Sequence, residues 1–286
     1  MGTLSNDEKW RILQTEVYRN QTKLVFEIFR REGIEPILIK GLALSQFYPN
    51  SHFRSFSDID IAVASENYED ARTLEGPIRD LNIRLDLHRE MKNLDSVPWK
   101  DLYQNSITFE VNGTSIRTLR PEDHLRVVCA HWLNDSGTNR ERLWDVYYAV
   151  DRRPADFDWD RCLKLVDQKR QRWVTCSIGI ASKYLGLNID DLWFASEARN
   201  LPTWLIRALE KEWESGVQLQ SIDTIHDPVM LLKQIKKRIP PNPVQATIEM
   251  GGSLDAKMRI HYQIGSFLRR LVISIRRISR LMMRKN

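Results

Sequence analysis

With 286 residues, 42% hydrophobic content and nine Trp, the chain can build one large core or two modest ones, and its composition is not that of a disordered protein. No apolar run approaches the roughly 20 residues of a membrane-spanning helix, and the polar start Asn6-Asp7-Glu8 is not expected to act as a leader peptide. The net charge of +5 is concentrated: Lys257 to Asn286 hold nine basic residues and no acidic one, which leaves −4 for residues 1–256.

Ser5 and Glu8 have the spacing of a capping box, and Trp10, Leu13, Val17, Leu24, Ile28 and Phe29 recur at helical intervals up to Gly33. One long helix or two short ones are therefore expected. Pro36 to Ile39 reads as a buried strand, and Gly41 opens a helix through Phe47 that Pro49-Asn50-Ser51 stops. A second strand over Ile59 to Ala64 is followed by a surface helix over Glu66 to Leu81, with Tyr68, Ala71, Leu74 and Ile78 inward. Asn82 to His88 alternates strictly, so Ile83, Leu85 and Leu87 share one face while Arg84, Asp86 and His88 share the other. Ile107 to Leu119 carries the signature of a hairpin, because Asn112-Gly113 supplies the two positive-φ positions of a tight primed turn.

After Leu119 the pattern is helical. Pro121 begins a helix with Leu125, Val128, Cys129 and Trp132 on one side, and further helices are expected over 142–150, 159–169, 171–185, 201–215 and 228–239. Pro240-Pro241-Asn242-Pro243 is a break. The predicted class is α+β, a small mixed sheet with flanking helices and an all-helical C-terminal half. The divisions are 1–119 for the α/β core with its N-terminal helix, 120–239 for a helical domain completing the cleft, 240–256 for a linker and 257–286 for a basic amphipathic helix. Cys129, Cys162 and Cys176 are odd in number, widely spaced and embedded in apolar segments, the pattern of reduced core cysteines in a cytoplasmic protein.

The chemistry gathers on the strand faces. Asp58 and Asp60 are two apart on one strand, and Asp86 lies on the polar face of a later one. Hard divalent cations take oxygen ligands, so three such carboxylates fit one or two Mg²⁺ or Mn²⁺ ions. Gly41 at a strand-to-helix turn, with Lys40 and Arg54 nearby in sequence, offers a place for phosphate. His88 shares the face of Asp86 as either a supporting partner or a structural histidine. His124 and His131, on a helix, fit packed or capping roles, and Asp145 could go either way.

The order Lys40-Gly41, helix, Arg54, Asp58-Ile59-Asp60, helix, Asp86-Leu87-His88 resembles the nucleotidyltransferase superfamily of the DNA polymerase beta type. The likeness is greatest to a poorly characterised bacterial branch, and it reaches from about residue 25 to 150 through Arg120-Pro121-Glu122-Asp123-His124 and Trp144-Asp145. The resemblance implies that Asp58 and Asp60 bind metal and that Asp86 completes the catalytic site near an acceptor hydroxyl. Lys40, Gly41, Arg54 and His88 would serve the nucleotide. The implied reaction moves a nucleotidyl group from an NTP, with ATP the expected co-substrate, to a hydroxyl of a small molecule, sugar or peptide, and releases pyrophosphate. The usual Gly-Gly or Gly-Ser is Gly41-Leu42 here, which removes a hydroxyl from the phosphate turn. An inactive binding or regulatory protein, or a toxin-like enzyme modifying RNA or protein, are the alternatives. The C-terminal segment has an apolar stripe with arginines mostly around it, suited to docking on its own fold, a second subunit or an anionic membrane surface. Its few aromatics argue against a stacking surface for nucleic acid.

Overall fold

The capping box at Ser5 and Glu8 forms as expected and starts a single helix, α1, over Asn6–Arg31. In this computed structural model the described residues are 5–91, 94–215, 227, 229–230, 234 and 238–283, with side chains described to 272. Strand β1 is short, Ile37–Leu38, and α2 spans only Leu42–Ser45. Then follow β2 (Ile59–Val63), β3 (Leu85–Arg89), β4 (Ile107–Val111) and β5 (Thr114–Thr118). The sheet order is β3-β2-β1-β5-β4, with β1 antiparallel to β2, β2 parallel to β3, β1 parallel to β5, and β4 antiparallel to β5. Asn112 and Gly113 take φ +48° and +79°, so the primed hairpin turn is as expected.

The period of two sends each strand residue to a defined layer. Ile59, Ile61 and Val63 of β2 pack with Leu38, Leu87 and Ile116 against Val25, Phe26 and Phe29 of α1. Ile37, Ile39 and Ala62 face the other way, onto Leu102, Leu119 and Val127. A sheet covered on both faces leaves polar side chains room only at strand ends and edges, and there the site forms.

Two local expectations change. Glu66 to Leu81 is not one helix: α3 (Tyr68–Thr73) and α4 (Glu75–Asp80) meet at Leu74. Pro77 has no N–H to give Thr73 and its ring crowds that carbonyl, so the helix restarts instead of running through. Ala71 and Ile78 are buried as expected. A short helix, α5 over Trp99–Gln104, precedes the hairpin and is not apparent in the sequence pattern.

Beyond Thr118 every described element is helical: α6 Pro121–Asn134, α7 Leu143–Asp151, α8 Trp159–Lys164, α9 Gln168–Leu185, α10 Ala195–Arg199 and α11 Thr203–Ser215, then helices at Pro243–Glu249 and Ile260–Met283. Most of the helix expected over 228–239 lies outside the described residues. In the stretch read as a linker, Asn242 accepts from the Val244 and Gln245 amides and Pro243 sits at the first turn. Proline supplies a preset φ there. The chain divides into two compact units, Met1–Val128 with Trp144–Asp167, and Cys129–Leu143 with Gln168–Asn286. In the first, Arg126 bridges Asp95 at 2.9 Å and Asp123 at 2.6 Å. In the second, Trp173 and Trp204 donate to the Gly252 and Leu254 carbonyls at 3.0 and 2.8 Å. All three cysteines are buried and free.

Gly41 has two reasons to be glycine. Its φ is +64°, and a Cβ there would lie 2.4 Å from the Tyr18 Oη. That hydroxyl is fixed, since it donates to the Asp58 carbonyl at 2.5 Å. Gly41→Ala is expected to cost at least about 1–2 kcal/mol from the left-handed backbone alone, with more from the collision. Chemical denaturation of the variant checks this, and removing the Tyr18 hydroxyl (Tyr18→Phe) in the same background should recover part of the loss.

Candidate active site

Adjacent parallel strands put their paired residues on the same face, and the β2–β3 register pairs Asp60 with Asp86 and Ala62 with His88. Asp86 and His88 therefore project beside Asp60. The His88 Nε2 lies 3.1 Å from Asp86 Oδ2 and 3.8 Å from Asp60 Oδ1. Donor atoms of Asp60, Asp86 and His88 all fall within 4.8 Å of one another, the spacing of ligands around one ion. Asp60 is buried and Asp86 half exposed at 50% of its side chain. One carboxylate is thus held by the protein while the other opens to solvent.

Lys40 completes the cluster. It lies two residues past the end of β1, its side chain is nearly buried, and its Nζ is paired with Asp60 Oδ1. That oxygen is buried. Its charge is met by the Lys40 ammonium and, further off, by the His88 ring. The electrostatics agree: the His88 hydrogen bond, acting against burial, holds the Asp86 carboxyl down at about 2. Burial alone would lower His88, but Asp60 and Asp86 together raise it to about 9. A site that draws an ammonium and an imidazolium onto two carboxylates has the donors and the charge for a divalent cation.

Asp58 stands just before β2, outside this group of three, and its Oδ1 accepts from the Ser57 hydroxyl at 2.6 Å. Its main chain is anchored through Tyr18, whose ring stacks on Phe56 with centroids 4.4 Å apart. Gly41 takes the turn after the first strand as expected. The α2 helix it precedes has four residues, all buried, and Tyr18 fills the space above the glycine.

Arg54 is taken up by a different carboxylate. It is buried and forks onto Asp145, Nε to Oδ1 at 2.8 Å and Nη2 to Oδ2 at 3.0 Å, while the Tyr48 hydroxyl donates to the same Oδ1 at 2.7 Å. Burial would lower the guanidinium's pKa, but the Asp145 charge and hydrogen bonds more than offset that and raise it. The sequence left Asp145 undecided, and nothing local in it points to a partner 91 positions away. Trp144 and Tyr148 stack beside this pair, centroids 5.4 Å apart, and Tyr48 meets Tyr148 at 4.5 Å.

His124 is a packed histidine, as its place on a helix suggested. Its Nε2 donates to the Ile39 carbonyl at 2.7 Å, one residue before Lys40. Burial pushes it down to about 4, outweighing the Ile39 carbonyl bond that raises it; the Arg54 charge lowers it further and Asp145 acts weakly the other way. The folded value lies below the unfolded one near 6.5, so the unfolded chain binds the extra proton first. Stability is complete above about pH 6.5 and is lost as pH falls toward 4, by on the order of 3 kcal/mol for this group. Urea unfolding from pH 7.5 to 4.5 should show a slope that His124→Gln removes over that window.

Residues 3–75 and 77–186 match the family described as Uncharacterised nucleotidyltransferase, well over half of the chain. No curated protein matches. Among solved structures, an antigenic nucleotidyltransferase-like protein from Paracoccidioides brasiliensis is similar at 12% identity and a TM-score of 0.46, covering 65% of this chain and 92% of that one. The five-stranded mixed sheet, the cluster on its β2 and β3 strands and the matched residues agree: the chain belongs to the uncharacterised nucleotidyltransferase family.

Proposed function

We propose that the protein transfers a nucleotidyl group from an NTP, with ATP as the expected nucleotide, to a hydroxyl of a small molecule, sugar or peptide in the cytoplasm of a bacterium. The observation that carries this is the register pairing of Asp60 with Asp86, which sets two carboxylates side by side on neighbouring strands of a family nucleotidyltransferase sheet. The acceptor oxygen would attack the α-phosphorus, forming a new phosphoester bond while the bond to the β-phosphate breaks and pyrophosphate leaves. The hydroxyl proton goes to water.

The residues fit Mg²⁺ or Mn²⁺. Asp60 and Asp86 would hold it, with Asp58 as the third carboxylate of the motif and His88 beside them. A bound divalent cation polarises phosphoryl oxygens and neutralises charge on the leaving group. The rest falls to the chain. Asp86, half exposed and ionised over the whole physiological range, is the carboxylate an acceptor hydroxyl can reach. Lys40, already a cation at the buried Asp60, is assigned to the triphosphate once the carboxylate finds a stronger counter-ion. Gly41 and Arg54 are assigned to positioning: one seats Tyr18 under Asp58, and the other ties the segment before β2 to α7.

Incubation with α-³²P-labelled NTPs, Mg²⁺ and cell extract, followed by nuclease or protease treatment, tests the reading. Label is expected on a species resistant to nuclease, in a reaction that chelation of the metal stops. Transfer from γ-labelled but not α-labelled NTP would mean phosphoryl transfer and sink it. Label that nuclease removes would move the acceptor to RNA.

A further inference from the structure

The sequence leaves the apolar stripe of the C-terminal amphipathic helix to its own fold, a second subunit or an anionic membrane surface. Among the described side chains its own fold does not cover it. Ile260–Met283 docks on its own unit through small and polar groups. The Ser266 hydroxyl donates to Glu249 at 2.6 Å, Arg270 pairs with the same carboxylate at 2.7 Å, Gln263 donates to the Pro241 carbonyl at 2.7 Å, and Gly265 lets Met250 approach. At 100° per residue Gln263, Ser266 and Arg270 fall within about 60° of one another on one side of the helix. Ile260, Ile264, Leu268 and Leu271 fall on the other and are 63%, 54%, 52% and 45% exposed. In sequence, Ile275 and Ile278 continue the same spacing. No helix of the described residues is long and apolar enough to cross a membrane.

Charge chooses the occupant. From Lys257 onward there are nine basic residues and no acidic one. A second copy seated face to face would bring two such segments within the roughly 8–10 Å of helix packing, about one Debye length, where their repulsion is poorly screened. An anionic bilayer surface meets both halves of the pattern, since it takes the exposed aliphatics into the acyl boundary and attracts a segment of nine basic and no acidic residues. We propose that the outward face of the Ile260–Met283 helix docks the protein on an anionic lipid surface, lying in the interface plane. This is independent of the chemistry at Asp60 and Asp86.

Flotation with phosphatidylcholine vesicles, with and without 30% phosphatidylglycerol, tests it on the whole protein. The wild type should float with the anionic vesicles at least tenfold more than with the neutral ones, and 0.5 M salt should reduce that. Ile264→Asp with Leu271→Asp, both on the exposed face, should lose the binding at least tenfold while circular dichroism and the thermal transition stay unchanged. Three results overturn the proposal: wild type left unbound by anionic vesicles, a double variant that floats as well as the wild type, or a wild-type dimer in solution that the double substitution turns into monomer, which would make a second copy the occupant.

Discussion

Asp86→Asn is expected to lower metal-dependent pyrophosphate release by at least about 10²–10³-fold, the scale of losing one preorganised electrostatic group at a reacting centre. Its stability should change by no more than about 1 kcal/mol, because Asp86 is half exposed and its hydrogen bond is to His88, two residues along the same strand. The position thus separates chemistry from folding. Asp60→Asn does not: it removes the same activity but leaves the Lys40 ammonium nearly buried without its counter-ion. Breaking one side of a buried pair costs about 3–5 kcal/mol. Asp60→Asn with Lys40→Met should regain most of that stability and none of the turnover. Steady-state pyrophosphate assays and urea unfolding on the same preparations check both halves. Wild-type turnover in Asp86→Asn would remove Asp86 from the site.

Arg54→Met is expected to destabilise the protein by about 3–5 kcal/mol, because it leaves Asp145 buried with its carboxylate short of a bidentate partner. Asp145→Asn should do the same from the other side, and the double variant should lose much less than the sum, a coupling on the order of 1–3 kcal/mol. The KM for NTP should stay within a factor of about two in whatever fraction remains folded, since guanidinium and phosphate do not meet in this reading. A variant with normal stability and a KM raised tenfold would restore Arg54 to the phosphates.

The central strands were legible because alternation is a local signal. Ile59, Ile61 and Val63 on one face oblige Asp60 and Ala62 to the other, and Ile83, Leu85 and Leu87 do the same for Asp86 and His88. The capping box, the Asn112-Gly113 turn and Pro121 are equally local. What escaped depends on distance. Asp145 takes up Arg54 across 91 residues, and Tyr18 reaches Asp58 across 40. No periodicity encodes either. The glycine of Lys40-Gly41 read as a phosphate turn, yet the side chain over it, Tyr18, comes from α1.

Short helices escaped for a different reason. Trp99–Gln104 and Ala195–Arg199 hold six and five residues, fewer than two helical turns, so no stripe can repeat within them. Pro243–Glu249 was hidden by its own prolines, which punctuate a loop and start a helix equally well. The C-terminal stripe shows the limit of pattern reading most plainly. Amphipathic spacing says that an apolar face exists, and only the contacts of Ser266 and Arg270 with Glu249 show that it points away from its own unit.

Manganese binding tests the central claim most directly. Titrating Mn²⁺ into the protein with a non-transferable NTP analogue, and following free Mn²⁺ by its paramagnetic resonance, should show saturable binding in the wild type that Asp86→Asn weakens by at least about tenfold. Equal binding by the two proteins would contradict a metal site at Asp60, Asp86 and His88.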